Sequence, residues 1–548
     1  MSNSHSRWSV EHTDSVSPTR SKRISTGFLP KPPPPECPQV IQTVHKRSPF
    51  GALLSRTLPN YSGHYPVGVC DVEVPIPKQS FGEFKHKSMP DAAAGLTIDT
   101  VLFTLFYPTE TVNTNQRVVW FPRLRQTIDG FLRMANRTPN WAMKTVVYPA
   151  AAAAIYGTTF PAVEHAPLRQ APPKTQWPLM IFSHGVGCSR LMYSAFCGEM
   201  ASRGYIVAAI EHRDGTGPSS RITNADGCTT RLDWLDWKDL AWPQPEQPKN
   251  DTTLRHVQLD VRLAEVQGVL DVMKKITNGD VVAQTRLTQA QTSFEWARWK
   301  CVNTHRPVMA GHSFGGTLGM AAASDPRFTF SQVVVMDPAV QRMYPWDGHI
   351  NVPFLALNSE EWMLGHEFPL FREMLPQIAR PSVFLIPGST HPSFSDVFLI
   401  LPPYINKLTG LRAEAHHVVD TMIKLVDKFL DGLTEEVRAN SREISGDLIL
   451  ERGLLSSMSS VSIISTAAPT PMGSPDLNFN SPHFSADGVT GVKSKPKKMR
   501  KTLGRLGDIG ELVSYRLEAD LERMKIENNS ELAKAGMSRV RKRTNSKL

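Results

Sequence analysis

Ser313 stands in Gly311-His312-Ser313-Phe314-Gly315, a G-x-S-x-G motif. The apolar run Val308-Met309-Ala310 precedes it, and a small-residue, helix-like segment from Gly316 to Ala323 follows. A serine on a sharp strand-to-helix turn has strained, closely packed backbone, so its flanking positions need almost no side chain, and Gly311 and Gly315 meet that need. Such a turn lifts the Ser313 hydroxyl above a sheet edge. It also leaves the Phe314 N–H at a helix N-terminus, where a developing oxyanion is stabilised.

A serine hydroxyl is a weak nucleophile until a base takes its proton and an acid orients the base. After an elbow serine the chain order is acid, then histidine. Asp337 follows the apolar run Val333 to Met336, where a carboxylate points into the crevice above a sheet; Asp325, in a helix-to-strand loop, and Asp347 are the competing acids. His391 follows the apolar run Val383 to Ile386 and the turn Pro387-Gly388-Ser389-Thr390, a loop after a late strand, and is preferred as base. His349, His366 and the pair His416-His417 compete. His312 is expected to point elsewhere, because adjacent residues on an elbow diverge. The second oxyanion donor belongs on the loop after an earlier strand, and His184-Gly185-Val186-Gly187 is glycine-rich enough for backbone to approach a substrate. The Val186 N–H is the expected donor there, with His184 as a buttress of the loop.

The elements that must carry these groups read as an α/β pattern. Leu179 to Ser183 and Tyr205 to Ile210 are continuous apolar runs, typical of buried parallel strands, with a helix predicted from Tyr193 to Arg203 between them. Val67 to Val74, Thr100 to Tyr107 and Val118 to Phe121 read as earlier strands, the pairing there antiparallel. Phe354 to Asn358 is a further strand, and Thr253 to Lys275 and His416 to Leu433 are helical patterns. The fold expected is the α/β-hydrolase fold: a mostly parallel central sheet with helices on both faces. Residues 123–160 combine apolar positions at helical spacing with arginines, compatible either with a helix packed on the core or with one lying on a lipid surface.

Composition sets the outer bounds. With 548 residues, 41% of them hydrophobic, the chain can bury a sizeable core. The net charge of +10 is concentrated at the ends: a surplus of four in residues 1–50 and nine in 491–548 leaves the rest near −3. Basic tails suit anionic membrane surfaces or acidic partners; no nucleic acid is expected as partner. Six cysteines lie scattered without C-x-x-C or zinc spacing, so they read as free thiols. No apolar signal region, no glycine after Met1 and no long apolar run is found, which makes a cytoplasmic protein, peripheral on membranes at most, the expectation. The boundaries read as a disordered basic Pro-rich tail over 1–58 and a catalytic domain over 59–436, in which the 215–252 insertion is a candidate lid. A disordered Ser/Pro/Lys-rich linker over 437–502 and a candidate amphipathic helix with a basic tail over 503–548 complete the reading.

Several of these stretches together resemble the plasma-type (group VII) platelet-activating factor acetylhydrolases. They are PLMIFSHGVG (178–187), ASRGYIVAAIEHRDG (201–215), GHSFGG (311–316), LNSE (357–360) and Gly388-Ser389-Thr390-His391 with Phe394 and Asp396 beyond. Upstream, YPVGVCD (65–71) and LFYPTE (105–110) look like the family's first strands, so the likeness runs over about residues 60–435. The resemblance implies calcium-independent hydrolysis of short or oxidised sn-2 acyl chains on phospholipids, with no cofactor and no metal. It carries the triad onto Ser313, Asp337 and His391, and the oxyanion amides onto Phe314 and Val186, where the family more often has leucine at the latter. It also places an interfacial helix within 123–160. The rival readings are a carboxylesterase or lipase on neutral esters, and a catalytically inactive scaffold whose tails bind membrane or protein. Oligomeric state is not legible.

Overall fold

The computed structural model describes residues 31–33, 50–112, 117–135, 141–224, 226–243, 245, 247–280, 294–461 and 506–517. Among them, eleven strands form one sheet. In chain order the first six are β1 (Val67–Phe81), β2 (Leu96–Pro108), β3 (Val163–Glu164), β4 (Trp177–Ser183), β5 (Ile206–Glu211) and β6 (Val302–His312). β7 (Gln332–Met336), β8 (Ile350–Ser359), β9 (Ile378–Ile386), β10 (Arg442–Ile444) and β11 (Val513–Tyr515) follow. They lie side by side as β10-β11-β9-β8-β7-β6-β4-β5-β2-β1-β3. The neighbours from β9 to β5 are all parallel, while β2 runs antiparallel to both β5 and β1.

The parallel strands are apolar throughout because both their faces are covered. Every residue of β4 and β5 is buried. Leu179 and Ile181 face a core built with Leu259, Leu263, Val266, Phe314 and Leu318, whereas Met180 and Phe182 face a second core with Phe196, Met200, Val418 and Met422. The first face is therefore covered by the helices Thr252–Asn278 and Phe314–Ser324, the second by Ser194–Ser202 and Ala415–Leu430. Each such side chain contributes roughly 1.5–3 kcal/mol by leaving water. The chain winds one way from β4 to β5 and the other way from β6 to β9. The ends of β4 and β6 thus flank the reversal, where parallel sheets open a ligand crevice. Ser183 ends β4, and Ser313 directly follows β6.

Several expectations need correction. Val118 to Phe121 does not join the sheet; only Val118–Val119 is strand, paired with Thr159–Phe160, because Trp120 turns inward and donates its indole N–H to Asp396 at 3.0 Å. The 215–252 insertion, which lacks visible periodicity, contains a hairpin of Ser219–Thr223 with Thr229–Asp233, and Leu240–Ala241 pairs with Lys85–His86. Residues 123–160 form two helices, Leu124–Met134 and Trp141–Ile155, the second with Pro149 inside it.

The helix expected within 503–548 is replaced, over 506–517, by turns and β11. Val513 and Tyr515 are buried in the core in strand conformation, and Ile509 is 39% exposed. Residues 518–535 lie outside the described residues. Part of the expected 437–502 linker is also ordered, as β10 and a helix over Gly446–Val461. Within the N-terminal tail, Lys31 pairs with Asp427 and Asp431, and the Tyr65 hydroxyl donates to the Pro33 carbonyl. No helix among the described residues is long and apolar enough to cross a membrane.

Candidate active site

Ser313 joins β6 to the following helix with φ 58° and ψ −124°, a conformation rarely adopted by a residue with a side chain. It is held from both sides: its N–H donates to the Met336 carbonyl at 2.9 Å, and its carbonyl accepts from Ala339 and Thr317. The flanking glycines are obligatory. A β-carbon on Gly311 would lie 2.2 Å from the Gly315 carbonyl oxygen, and one on Gly315 would lie 2.1 Å from that of Ser183.

The His391 Nε2 lies 3.0 Å from the Ser313 Oγ, and its Nδ1 lies 3.0 Å from Asp337 Oδ2. With Nδ1–H donating to the carboxylate, Nε2 is left to accept from the serine hydroxyl. Asp337, fully buried with φ 43°, also accepts from the Ser359 N–H and hydroxyl, each at 2.6 Å. Its carboxyl is pushed up by burial and pulled back by these bonds. For His391, burial disfavours the charged form, but the hydrogen bond and charge of Asp337 outweigh it, with Glu361 and Glu367 adding, so its pKa stands above the ordinary value. The arrangement can take a proton from Ser313 and hold the resulting imidazolium.

The competing residues lie elsewhere. Asp325 is tied to exposed Arg327, and Asp347, His349 and His366 are exposed. The His417 Nε2–H donates to the Gly510 carbonyl at 2.8 Å. His312 departs from expectation. Its ring lies 4.6 Å from that of His391, and its Nδ1 is 2.7 Å from the Tyr193 hydroxyl. The diverging Cα–Cβ bonds of adjacent residues did not separate the two rings, because His391 arrives from another strand and fills the space between. Burial, then the nearby His391, keeps His312 neutral.

The 184–187 loop after β4 passes directly over the elbow. A β-carbon on Gly185 would stand 2.8 Å from the Ser313 Cβ. The Gly187 N–H is used by the Thr216 carbonyl and that of Gly185 by the Tyr193 hydroxyl. The Val186 N–H has no partner among the described residues. Beneath this loop runs a buried polar layer that the strand-and-motif reading missed. Arg262, wholly buried, donates to Asp214, to the His184 carbonyl and to the Thr216 hydroxyl, each at 2.7 Å, and its guanidinium lies 4.6 Å from the Phe314 ring. Ser183 Oγ is 2.7 Å from His212 Nε2, whose Nδ1 is 2.6 Å from Glu265. Burial and the charge of Asp214 raise Glu265 to about 8, while burial and Arg262 hold His212 and His184 low, the latter at about 4. Burial thus disfavours charge on His184, His212 and Glu265 alike, beside the buried Arg262–Asp214 ion pair. The signal was present: Arg262 and Glu265 fall on the apolar stripe of a helix, between Leu259 and Val266, where a charge must have a partner.

The helix Leu124–Met134 and the hairpin of the insertion form the rim. Met134 would touch a β-carbon on Gly187 at 2.7 Å, Gly130 packs on the Pro218 backbone, and Arg133 and Arg231 approach Asp233 and Asp129.

An elbow serine at the switch point of a mostly parallel, helix-covered sheet defines an α/β-hydrolase. The family model described as platelet-activating factor acetylhydrolase, isoform II, matches residues 51–444, and the chain belongs to that family. It is 28% identical over 270 residues to a platelet-activating factor acetylhydrolase of Gallus gallus, covering 47% of this chain and 60% of that protein. The namesake of Bos taurus is 29% identical over 261 residues, covering 47% and 56%, and that of Canis lupus familiaris 26% over 300 residues, covering 53% and 62%. The chain thus spans less than two thirds of the length of each of these relatives.

Proposed function

We propose that the protein is a calcium-independent serine esterase of the phospholipase A2 type, cleaving the sn-2 ester of phospholipids with short or oxidised acyl chains. The observation that carries this is the Ser313–His391–Asp337 chain of hydrogen bonds; family membership and the likeness to platelet-activating factor acetylhydrolases support the substrate class. His391 takes the Ser313 proton as the hydroxyl oxygen attacks the sn-2 carbonyl. The Phe314 and Val186 N–H groups hold the oxyanion, each such donor being worth roughly 3 kcal/mol in the transition state. His391 then protonates the departing lysolipid oxygen, and water, activated by the same imidazole, releases the acyl group from Ser313.

The 59–436 stretch is the catalytic domain in this reading, with the 215–252 insertion as part of a lid. Membrane contact is peripheral, through 123–160 and the basic tails, in a cytoplasmic protein. Support for that contact comes from Val146 and Tyr156, 70% and 71% exposed, and from Leu54, 70% exposed on the adjoining short helix Ala52–Ser55. The test is calcium-free hydrolysis of two choline phospholipids, one with sn-2 acetyl and one with a long sn-2 chain, with Ser313→Ala as control. Acetyl release alone, lost in the variant, is the expected result. Cleavage of neither, with turnover of neutral esters, would replace this reading by a general esterase.

A further inference from the structure

The loop from Pro387 to His391 leaves the sheet at the end of β9, so its backbone groups need partners from outside the ladder. Most come from within the family match, which stops at residue 444: the Gly388 carbonyl accepts from the Arg412 and Ala413 N–H groups, and the His391 N–H donates to Glu361, but one comes from a segment beyond it. The Pro387 carbonyl accepts from the Gly510 N–H at 2.9 Å. The Gly388 N–H donates to Glu360 Oε2 at 3.1 Å, while Glu360 Oε1 accepts from the Leu506 N–H at 2.9 Å. Glu360 is almost wholly buried and also pairs with Arg412. Packing is as close as the hydrogen bonding. A β-carbon on Gly507 would lie 2.9 Å from Pro387 Cγ, and one on Gly388 would meet Ile509 at 3.0 Å. β11 then pairs Val513 with Leu385 and Ser514 with Phe384, and Tyr515 meets Phe368 edge-on at 5.7 Å.

We infer that residues 506–515 are a positioning element for His391, fastened to its loop through Gly510 and Glu360. The inference rests on the hydrolase reading above, in which His391 must keep its 3.0 Å approach to Ser313. Glu360 makes the arrangement specific. It directly follows Ser359, whose N–H and hydroxyl hold Asp337, so one turn grips the acid on one side and the base's loop and the 506–515 segment on the other. A displacement near 1 Å at the base costs about 100-fold in rate. The segment's hydrogen bonds run to Pro387 and Glu360 rather than to Ser313, so its loss is expected to act on turnover through His391 and to leave substrate binding alone.

The experiment uses the full chain. Gly507→Val pushes the segment off Pro387, and His417→Ala removes the 2.8 Å bond that holds the Gly510 carbonyl from the far side. Readouts are kcat and KM on the sn-2 acetyl lipid, the pH profile of kcat/KM, and amide exchange over 506–515. Wild-type turnover that disappears in Ser313→Ala secures the hydrolase reading independently. Expected for Gly507→Val is a fall in kcat of about tenfold to 100-fold with KM within about twofold, and an acid limb shifted to lower pH as the His391–Asp337 bond loosens; His417→Ala moves both readouts the same way by less. Faster exchange over 506–515 with kcat and the acid limb unchanged would overturn the inference. Should Gly507→Val not fold, His417→Ala decides by the same two readouts.

Discussion

Gly185 stands over Ser313 so closely that a β-carbon on it would lie 2.8 Å from the serine Cβ and 3.3 Å from its Oγ. The 184–187 loop and Ser313 therefore share one contact surface, and only a missing side chain permits it. Gly185→Ala is expected to leave the fold intact, since the loop can lift, and to lower kcat/KM about 100-fold by moving the Val186 N–H away from the oxyanion. Steady-state kinetics with a melting curve check it; full activity with an unaltered melting temperature would remove Val186 from the site.

Asp337→Asn keeps the shape of the acid, and asparagine tolerates its positive φ. It cannot hold the imidazolium. A loss in kcat of about 10³- to 10⁴-fold is expected, with little change in KM.

In the proposed mechanism the acid limb of kcat/KM follows His391, whose neutral form is the base. Asp337 raises the His391 pKa above the ordinary 6.5, so the wild-type midpoint is expected above that value, and in Asp337→Asn it is expected to fall. The stability sign is consistent: a histidine with a raised folded-state pKa contributes stability that is full below its unfolded pKa and lost as pH rises through the folded one. A pH–rate profile of both proteins decides; a midpoint at or below 6.5 in the wild type would contradict the assignment.

Glu265 gives a separate test. Its carboxyl is raised to about 8, so the folded state binds its proton more tightly than the unfolded chain does. The resulting stability is full below the usual carboxylate range and declines as pH rises towards about 8. Glu265→Gln, which can still donate to His212, is expected to flatten the fall in melting temperature between neutral pH and about 8 while costing little at pH 6. Melting curves at both pH values measure it.

Arg262→Met strips the partner from buried Asp214 and the clamp from the His184 carbonyl. An unpaired buried carboxylate costs about 3–5 kcal/mol, so a large drop in denaturant midpoint is expected, larger than for any surface arginine such as Arg327.

What could be read from the chain beforehand divides along physical lines. Ser313, Asp337 and His391 each follow an apolar run, and a buried parallel strand announces its own C-terminal end; their order along the chain did the rest. The cross-strand partners of β11 were not readable. The strand Val513 to Tyr515 is only three residues long, and its pairing, Val513 with Leu385 and Ser514 with Phe384, spans well over a hundred positions. The closeness of His312 to His391 was equally hidden, since it depends on where a distant loop arrives rather than on the elbow's own geometry.

The sheet's two margins bear on self-association. At one side it ends in β3, two residues long, and at the other in β10, three residues long, with β11 interposed against β9. Without β10 and β11, the apolar run Val383 to Ile386 would offer its free N–H and C=O groups to any second chain, the usual template for strand addition. Among the described residues, the short outer strand β10 leaves little edge at this margin for such addition.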